Sequence, residues 1–554
     1  MVRKSPPSRP PTGRPQADRP TSRWNLAAPL LAAAAAFALF APTLSFSFLN
    51  WDDDRYVLQN PWIRSWSAEN LIHIFTKPYF ANFLPLHLVS YTLDYSLWGL
   101  NPLGYHLQSV LLHALNAALV WKVVRRMFGG RMLPFLAALF FAVIPAHVEA
   151  VAWVSIRKDL LSTTFALLSV DFYLRARGAS SRSKARPVVT MGSVLCFGLA
   201  LLSKVTAVTL PAFFLLLDWA ETKGWPRSLR RSNVTDKIPF LLLGIWLVAL
   251  NQSAQTQAGA IDHQDFLSQA TAKGLAVWKY MGLLTGILRG SPDYDWPSAG
   301  NQPVAIFVSL AGLILLPAIA WLAYRAKDRT LFLGVSWIFI TLIPALAFPL
   351  VTYMADRYLY LPSVGFCWVL AVGIVRLADR VREPRPRQVA LAAMALLAAV
   401  FFAGRTLQYL PVWRDSESLW TYAMTRSHDY RPYTNLAQVR IRQNRLEEAE
   451  RLLLTVTKEH DDPYTYQNLS VVYFRTGRYA EAVRAAEHAL QSLRRTGWDP
   501  IRASLLYYNA AAGYAMLNDS ASAIGALRAS VREDPNNAEA LSKLRMLEGG
   551  FASP

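Results

Sequence analysis

Cysteine is almost missing from this chain: Cys196 and Cys367 are the two among 554 residues. Both sit inside apolar runs without CxxC spacing, which excludes a disulfide framework and a zinc cluster and leaves packing as their role. Carboxylates are scarce too, with 37 Asp and Glu against 57 Lys and Arg, a formal net charge of +20. In a soluble protein that excess would point to nucleic acid. Here the cations stand in short clusters between apolar runs, so they read as a topology signal and nucleic acid is not an expected partner. No Gly-rich loop precedes a Lys-Ser/Thr pair, which argues against a nucleotide-driven enzyme, and no His-Glu-x-x-His supports zinc hydrolysis. What the chain does have is 53% hydrophobic residues, more than one soluble core can bury. Its solvent is a bilayer.

A hydrocarbon layer about 30 Å thick takes about 20 apolar residues per helix, and this criterion gives about eleven spans. They fall near 26–48, 103–124, 132–148, 159–175, 188–203, 205–220, 238–252, 303–324, 330–347, 359–376 and 388–405. Between alternate spans lie Arg125, Arg126 and Arg131; Arg175, Arg177, Arg182, Lys184 and Arg186; Lys223, Arg227, Arg230, Arg231 and Lys237; Arg325, Lys327 and Arg329; and Arg376, Arg380, Arg382, Arg385 and Arg387. Positive charge marks these loops as cytoplasmic. Residues 1–25, rich in Pro and Arg, join them as a disordered basic tail. The loops 49–102, 145–158, 253–302 and 348–358, and everything beyond about 405, then lie on the outer face. The apolar segment 268–289 begins and ends on that face, which favours an interfacial or re-entrant helix.

Beyond Gly404 the hydropathy drops and a helical pattern repeats with the tetratricopeptide period of about 34 residues. Asn435, Leu436 and Ala437 with Ala449 open one unit. Asn468, Leu469 and Ser470 with Tyr473, Gly477, Tyr479, Ala482, Ala489 and Leu490 form the clearest copy. A third runs from Asn509 to Pro535 after an insertion at 497–500, and 536–548 read as a capping helix. The expected order is a membrane bundle over 26–405, a connecting helix over 406–430, and a repeat solenoid over 431–554 that binds a protein or peptide.

One cluster of acids stands out against the general shortage. Asp52, Asp53 and Asp54 follow Phe48-Leu49-Asn50-Trp51 a few residues after the first span, and adjacent carboxylates beside hydrocarbon point to chemistry at a membrane surface. Further stretches are Leu93 to Pro102 (LDYSLWGLNP), Tyr105-His106 with Leu112-His113, Pro145 to Trp153 (PAHVEAVAW), Arg157-Lys158-Asp159, Ser203-Lys204 with Ala207 to Pro211, and Asp356 to Pro362 (DRYLYLP). With the repeat tail, these make the chain resemble the transmembrane and tetratricopeptide repeat-containing O-mannosyltransferases and their bacterial relatives, glycosyltransferases of the GT-C fold. The fold class expected is thus all-α: a polytopic GT-C-like bundle followed by a soluble solenoid. The resemblance implies a polyprenyl-phosphate-linked sugar donor, in contact with membrane lipid, and a hydroxyl acceptor on the outer face. It also implies no required cofactor or metal beyond the lipid-linked donor. The Ala- and Arg-rich composition and short loops favour a bacterial inner membrane, N-terminus cytoplasmic and repeats periplasmic. The alternative is a non-catalytic membrane assembly or scaffold protein that recruits partners through its repeats.

Sugar transfer from a lipid phosphate to a hydroxyl needs a base for the acceptor proton while the anomeric carbon gains oxocarbenium character. The resemblance favours Asp52 and Asp53, with Asp53 as base and Asp52 as partner or the reverse, and leaves Asp54 solvated or paired with Arg55. Phosphate is already a good leaving group, so cations are expected to stabilise its charge. Lys204, Arg157, Lys158 and Arg357 are the candidates. Lys204 sits at a sharp turn between two spans, where snorkelling to the headgroups is the competing role. Arg357 has a salt bridge with Asp356 as its competing role, and Tyr358 completes that motif. His147 and Glu149 follow Pro145, which breaks the third span and aims them at the outer cavity for acceptor or phosphate contact, with helix capping as the alternative. His106 and His113 read as packing or interhelical hydrogen-bond residues. Trp51, Trp62, Trp66, Trp98 and Trp153 are expected in the aromatic belt.

Overall fold

The computed structural model describes residues 23–80, 82–179, 184–222, 234–257, 266–295, 302–347, 352–497 and 499–549. Among these residues the regular structure is all helical, with one isolated bridge between Tyr79 and Asn82. The expected tail lies outside the described residues as far as residue 22, as do Arg182 and the cluster from Lys223 to Arg231.

Among the described residues, seven helices are long and apolar enough to cross a bilayer: Trp24–Ser45, Pro102–Phe128, Ala185–Ser203, Ile238–Thr256, Pro303–Arg325, Arg329–Ala347 and Pro384–Trp413. Met132–Val143 and Pro145–Ala152 make an eighth if taken as one span, bent by 54° where Pro145 interrupts the backbone ladder. The other expected spans are also helices but miss this measure: Val205–Ala220 and Ser363–Ala378 are shorter, and Arg157–Gly178 carries charge on its first and last turns. The number of crossings is therefore approximate, although every expected span falls on a helix. Phe266–Leu284, the segment expected to be re-entrant, is a helix as well.

Local chemistry explains the boundaries. The helix Pro102–Phe128 starts where the Asn101 side chain accepts from the Leu103 N–H and Pro102 supplies a preset φ. It stops at Gly129, whose φ of +70° favours glycine, with Arg125 and Arg126 in its last turn. The first span turns Ala28, Ala32, Ala36 and Phe40, a ladder at four-residue spacing, into the bundle. Small side chains let its backbone approach its neighbours where hydrophobic burial alone gives no preference for helix over lipid.

At the end of the bundle expected to be cytoplasmic, two buried carboxylates clamp the helices. Asp171 takes Lys122 at 3.2 Å, Arg126 at 2.7 Å and Arg175 at 2.9 Å. Asp218 takes Arg177 at 2.9 Å, Lys237, and the Tyr173 hydroxyl at 2.8 Å.

At the other end, the segment expected as one connecting helix is broken. The last span runs on to Tyr409, a tight turn covers Leu410–Trp413 around Pro411, and a short helix spans Ser416–Met424, capped by Asp415. The repeats follow as antiparallel pairs: Tyr430–Arg442 with Leu446–Val456, Pro463–Arg475 with Tyr479–Thr496, and Pro500–Met516 with Ser520–Glu533, then Ala538–Gly549. The turn inside each pair carries one left-handed residue, Asn444, Gly477 and Asn518 in order. Ala449, Ala482 and Ala489 are fully buried where the helices of a pair meet.

Candidate active site

The first loop after the opening span is held from two directions. The Asp53 carboxylate is buried and accepts from the Leu49 N–H at 3.0 Å, the Ser155 N–H at 2.9 Å, and the Ser155 hydroxyl. Burial nevertheless pushes its pKa up to about 7, against the pull of those donors. Trp51 stacks on Trp153 with ring centres 4.3 Å apart and planes at 20°. Trp153 is buried and lies 5.7 Å from Trp413, so these two tryptophans form part of an interior stack instead of the expected aromatic belt. Asp54 pairs with Arg442 of the first repeat at 2.9 Å, and not with Arg55.

Between these anchors Asp52 faces a cavity of about 320 Å³. It is half-buried and has no hydrogen-bond or ion-pair partner among the described residues. Burial raises its pKa, while the charges of Lys158 and Arg357 oppose the shift. The same cavity is lined by Lys158, Lys204, Arg357 and Tyr358, with Tyr56, Asn82, Asn251, Gln252 and Gln255 among its other polar groups. Val205, Val248, Pro344 and Ala345 supply an apolar side.

The cations differ in how they are held. Lys204, in extended backbone just after Ser203 ends its helix, reaches both oxygens of Asp159 at 2.6 and 2.8 Å and lies over the Tyr358 ring at 5.3 Å. Arg357 pairs with Glu149 and donates its backbone N–H to the same carboxylate at 2.8 Å, so the competing role, a pair with Asp356, is not formed among the described residues. Lys158 has no carboxylate in contact among the described residues; its ammonium lies over the Tyr56 ring at 5.2 Å. With Asp159 and Glu149 neutralising two cations from behind, Asp52 and Lys158 are left as opposite charges on the wall with no ion pair in contact among the described residues.

Five of the ten residues expected at the site thus line the cavity: Asp52, Lys158, Lys204, Arg357 and Tyr358. The rest stand behind it. Arg157 is fully buried, paired with Asp94, bonded to the Tyr105 carbonyl at 2.7 Å and set over Tyr91, so the structure does not place it on the cavity. Glu149 holds Arg357. His147 follows the break at Pro145 as expected but turns inward, to the Ser363 hydroxyl at 2.7 Å and the Tyr360 ring. Asp356 accepts from the Tyr294 hydroxyl at 2.5 Å, and burial together with the nearby Glu149 charge pushes its pKa up to about 8. His113 takes the interhelical role expected of it, bonding Tyr360 and the Ala142 carbonyl.

Several cavity groups escaped the sequence reading. Asn251 accepts from the Phe83 N–H at 3.3 Å and Gln255 reaches Asn82 at 3.5 Å, tying the loop over the cavity to the helix Ile238–Gln257. Their signal was present: Asn251, Gln252 and Gln255 put polar atoms at the end of an otherwise apolar span, where lipid would penalise them unless a cavity or a partner received them.

Comparison with known proteins agrees with both parts of the chain. The family model described as dolichyl-phosphate-mannose-protein mannosyltransferase matches residues 77–251, and a tetratricopeptide repeat model matches 464–496. Protein O-mannosyl-transferase Tmtc1 of Drosophila melanogaster is 28% identical over 81% of this chain and 63% of its own length. TMTC2 of Mus musculus is 24% identical over 76% of this chain and 61% of its own. The chain therefore spans about three fifths of the length of these curated relatives. Among solved structures, ArnT from Cupriavidus metallidurans bound to undecaprenyl phosphate overlays 90% of this chain and 79% of that one, at 16% identity and a TM-score of 0.37, too low to establish a common fold.

Proposed function

We propose that this chain, a relative of the tetratricopeptide repeat-containing O-mannosyl-transferases, is a membrane glycosyltransferase that moves a sugar from a polyprenyl-phosphate donor to a hydroxyl of a protein acceptor. Mannose is the sugar by kinship, since the matching family model carries dolichyl-phosphate-mannose in its description. The observation that carries the reading is Asp52, a carboxylate without an ion-pair or hydrogen-bond partner among the described residues, on a cavity wall whose other charged groups are Lys158, Lys204 and Arg357.

The roles follow from charge. The donor phosphate sits among the three cations, and its isoprenoid leaves along the apolar side at Val205, Val248 and Pro344. The acceptor oxygen attacks the anomeric carbon from the face opposite the phosphate, and its proton goes to Asp52. As the new C–O bond forms, the bond from the anomeric carbon to the phosphate oxygen breaks and the polyprenyl phosphate leaves with the electron pair, held by Lys158. One displacement inverts the anomeric centre. Asp53 is too fully engaged with Leu49 and Ser155 to take this proton, and its role is to hold the loop. The reading has Lys158, Lys204 and Arg357 meet the phosphate charge with transfer needing no added metal. The reading also sets the cavity on the periplasmic side of a bacterial inner membrane, with the repeats beside it.

The test is transfer from β-linked polyprenyl-phosphate mannose to a peptide by the purified chain, with chelator present. An α-mannosylated peptide is expected. Retention of the β configuration, or dependence on added metal, would overturn the mechanism.

A further inference from the structure

Two residues before Asp52, Asn50 is buried, and every polar group of its side chain is occupied by residues beyond the last span. Its Oδ1 accepts from the Trp420 indole N–H at 2.7 Å. Its Nδ2 donates to the Asn435 carbonyl at 3.1 Å and to Gln438 Oε1 at 3.0 Å. Its backbone N–H donates to the Ser416 hydroxyl at 2.8 Å. Trp51, the residue in between, rests 4.9 Å from Trp420 on one side and on Trp153 on the other.

A solenoid joined by one flexible linker would need none of these contacts. An asparagine whose three side-chain bonds all cross to another part of the chain makes a specific latch, because losing any partner strands a buried polar atom. The latch acts on the loop that carries the cavity carboxylate, within two peptide units of it.

We infer that Asn50 is a positioning residue through which the Ser416–Met424 helix and the first repeat set the place of Asp52 in the cavity. The repeats are then part of the machinery that transfers the sugar, in addition to any acceptor they hold. The inference rests on the reading of Asp52 as base. Asn50 itself touches neither substrate nor the reacting atoms.

The experiment compares Asn50→Ala and Gln438→Ala with Asp52→Asn in the full-length chain, each checked for folding by its thermal transition. A displaced base lowers kcat by about a hundredfold in Asn50→Ala, leaves KM for donor and acceptor near the parent values, and shifts the acid limb of the kcat profile. Gln438→Ala shows a smaller loss with the same pattern. If Asn50→Ala does not accumulate as folded protein, Gln438→Ala alone decides. An unchanged kcat, a loss seen as raised acceptor KM, or a rate scaled equally at every pH would overturn the inference. Transfer surviving in Asp52→Asn would instead overturn the reading beneath it.

Discussion

The two ends of the bundle treat buried charge in opposite ways. At the end that holds Asp171 and Asp218, each carboxylate is saturated, by three cations in the first case and by two and a tyrosine hydroxyl in the second. At the cavity end Asp159 and Glu149 pair off Lys204 and Arg357, yet Asp52 and Lys158 face the cavity with no ion pair of their own among the described residues. Ionised groups are costly next to hydrocarbon, so a structural cluster closes on itself and an open one is kept for something that binds. The contrast separates clamp from site without recourse to motif.

The contrast can be broken most directly at Asp52. Asp52→Asn is expected to lower the transfer rate by about 10²–10⁴-fold, the range for loss of a general base, with the thermal transition unchanged. In the parent the rate rises with pH through the pKa of Asp52, because the base must be ionised, and burial sets that limb above the ordinary carboxylate range. Lys158→Ala comes next: losing one charged contact to phosphate is worth about 1.5–3 kcal/mol, roughly 10- to 100-fold in donor KM. At the opposite end Asp171→Asn should destabilise the fold by about 1–3 kcal/mol, moderated because its cations are more than a third exposed. Turnover per folded molecule should not change there, and urea titration alongside activity assays reads both.

Smaller effects sharpen the picture. The folded pKa of Asp356 stands above its ordinary value, so the folded chain binds that proton more tightly than the unfolded one. The stabilisation is complete below about 4 and is lost as pH rises through about 8. Asp356→Asn should flatten this part of the profile of thermal midpoint against pH. The Asp54–Arg442 pair is partly exposed, and Arg442→Ala should cost within about 1 kcal/mol.

The helices were legible because bilayer thickness imposes length, and the repeats because each pair must place small residues where its helices meet. The site was legible as a neighbourhood and less so as directions. Asp52 and Asp53 are adjacent and so cannot both face the cavity; one turns to Ser155. Arg157 and Lys158 are about 100° apart on their helix, so only one lines the wall. Which member of each pair faces inward depends on packing, as does the contact of Asp54 with Arg442, 388 residues away. Trp51 and Trp153 looked like belt residues because composition at a membrane exit does not distinguish an interfacial ring from one stacked inside.

Most direct of all is the ratio of transfer rates for Asp52→Asn and Asp53→Asn, measured side by side on folded, purified chain by mass spectrometry of the acceptor peptide. The account predicts that Asp52→Asn is the more severely impaired and that its residual rate no longer depends on pH at the acid limb. A dead Asp53→Asn beside an active, pH-dependent Asp52→Asn would contradict it.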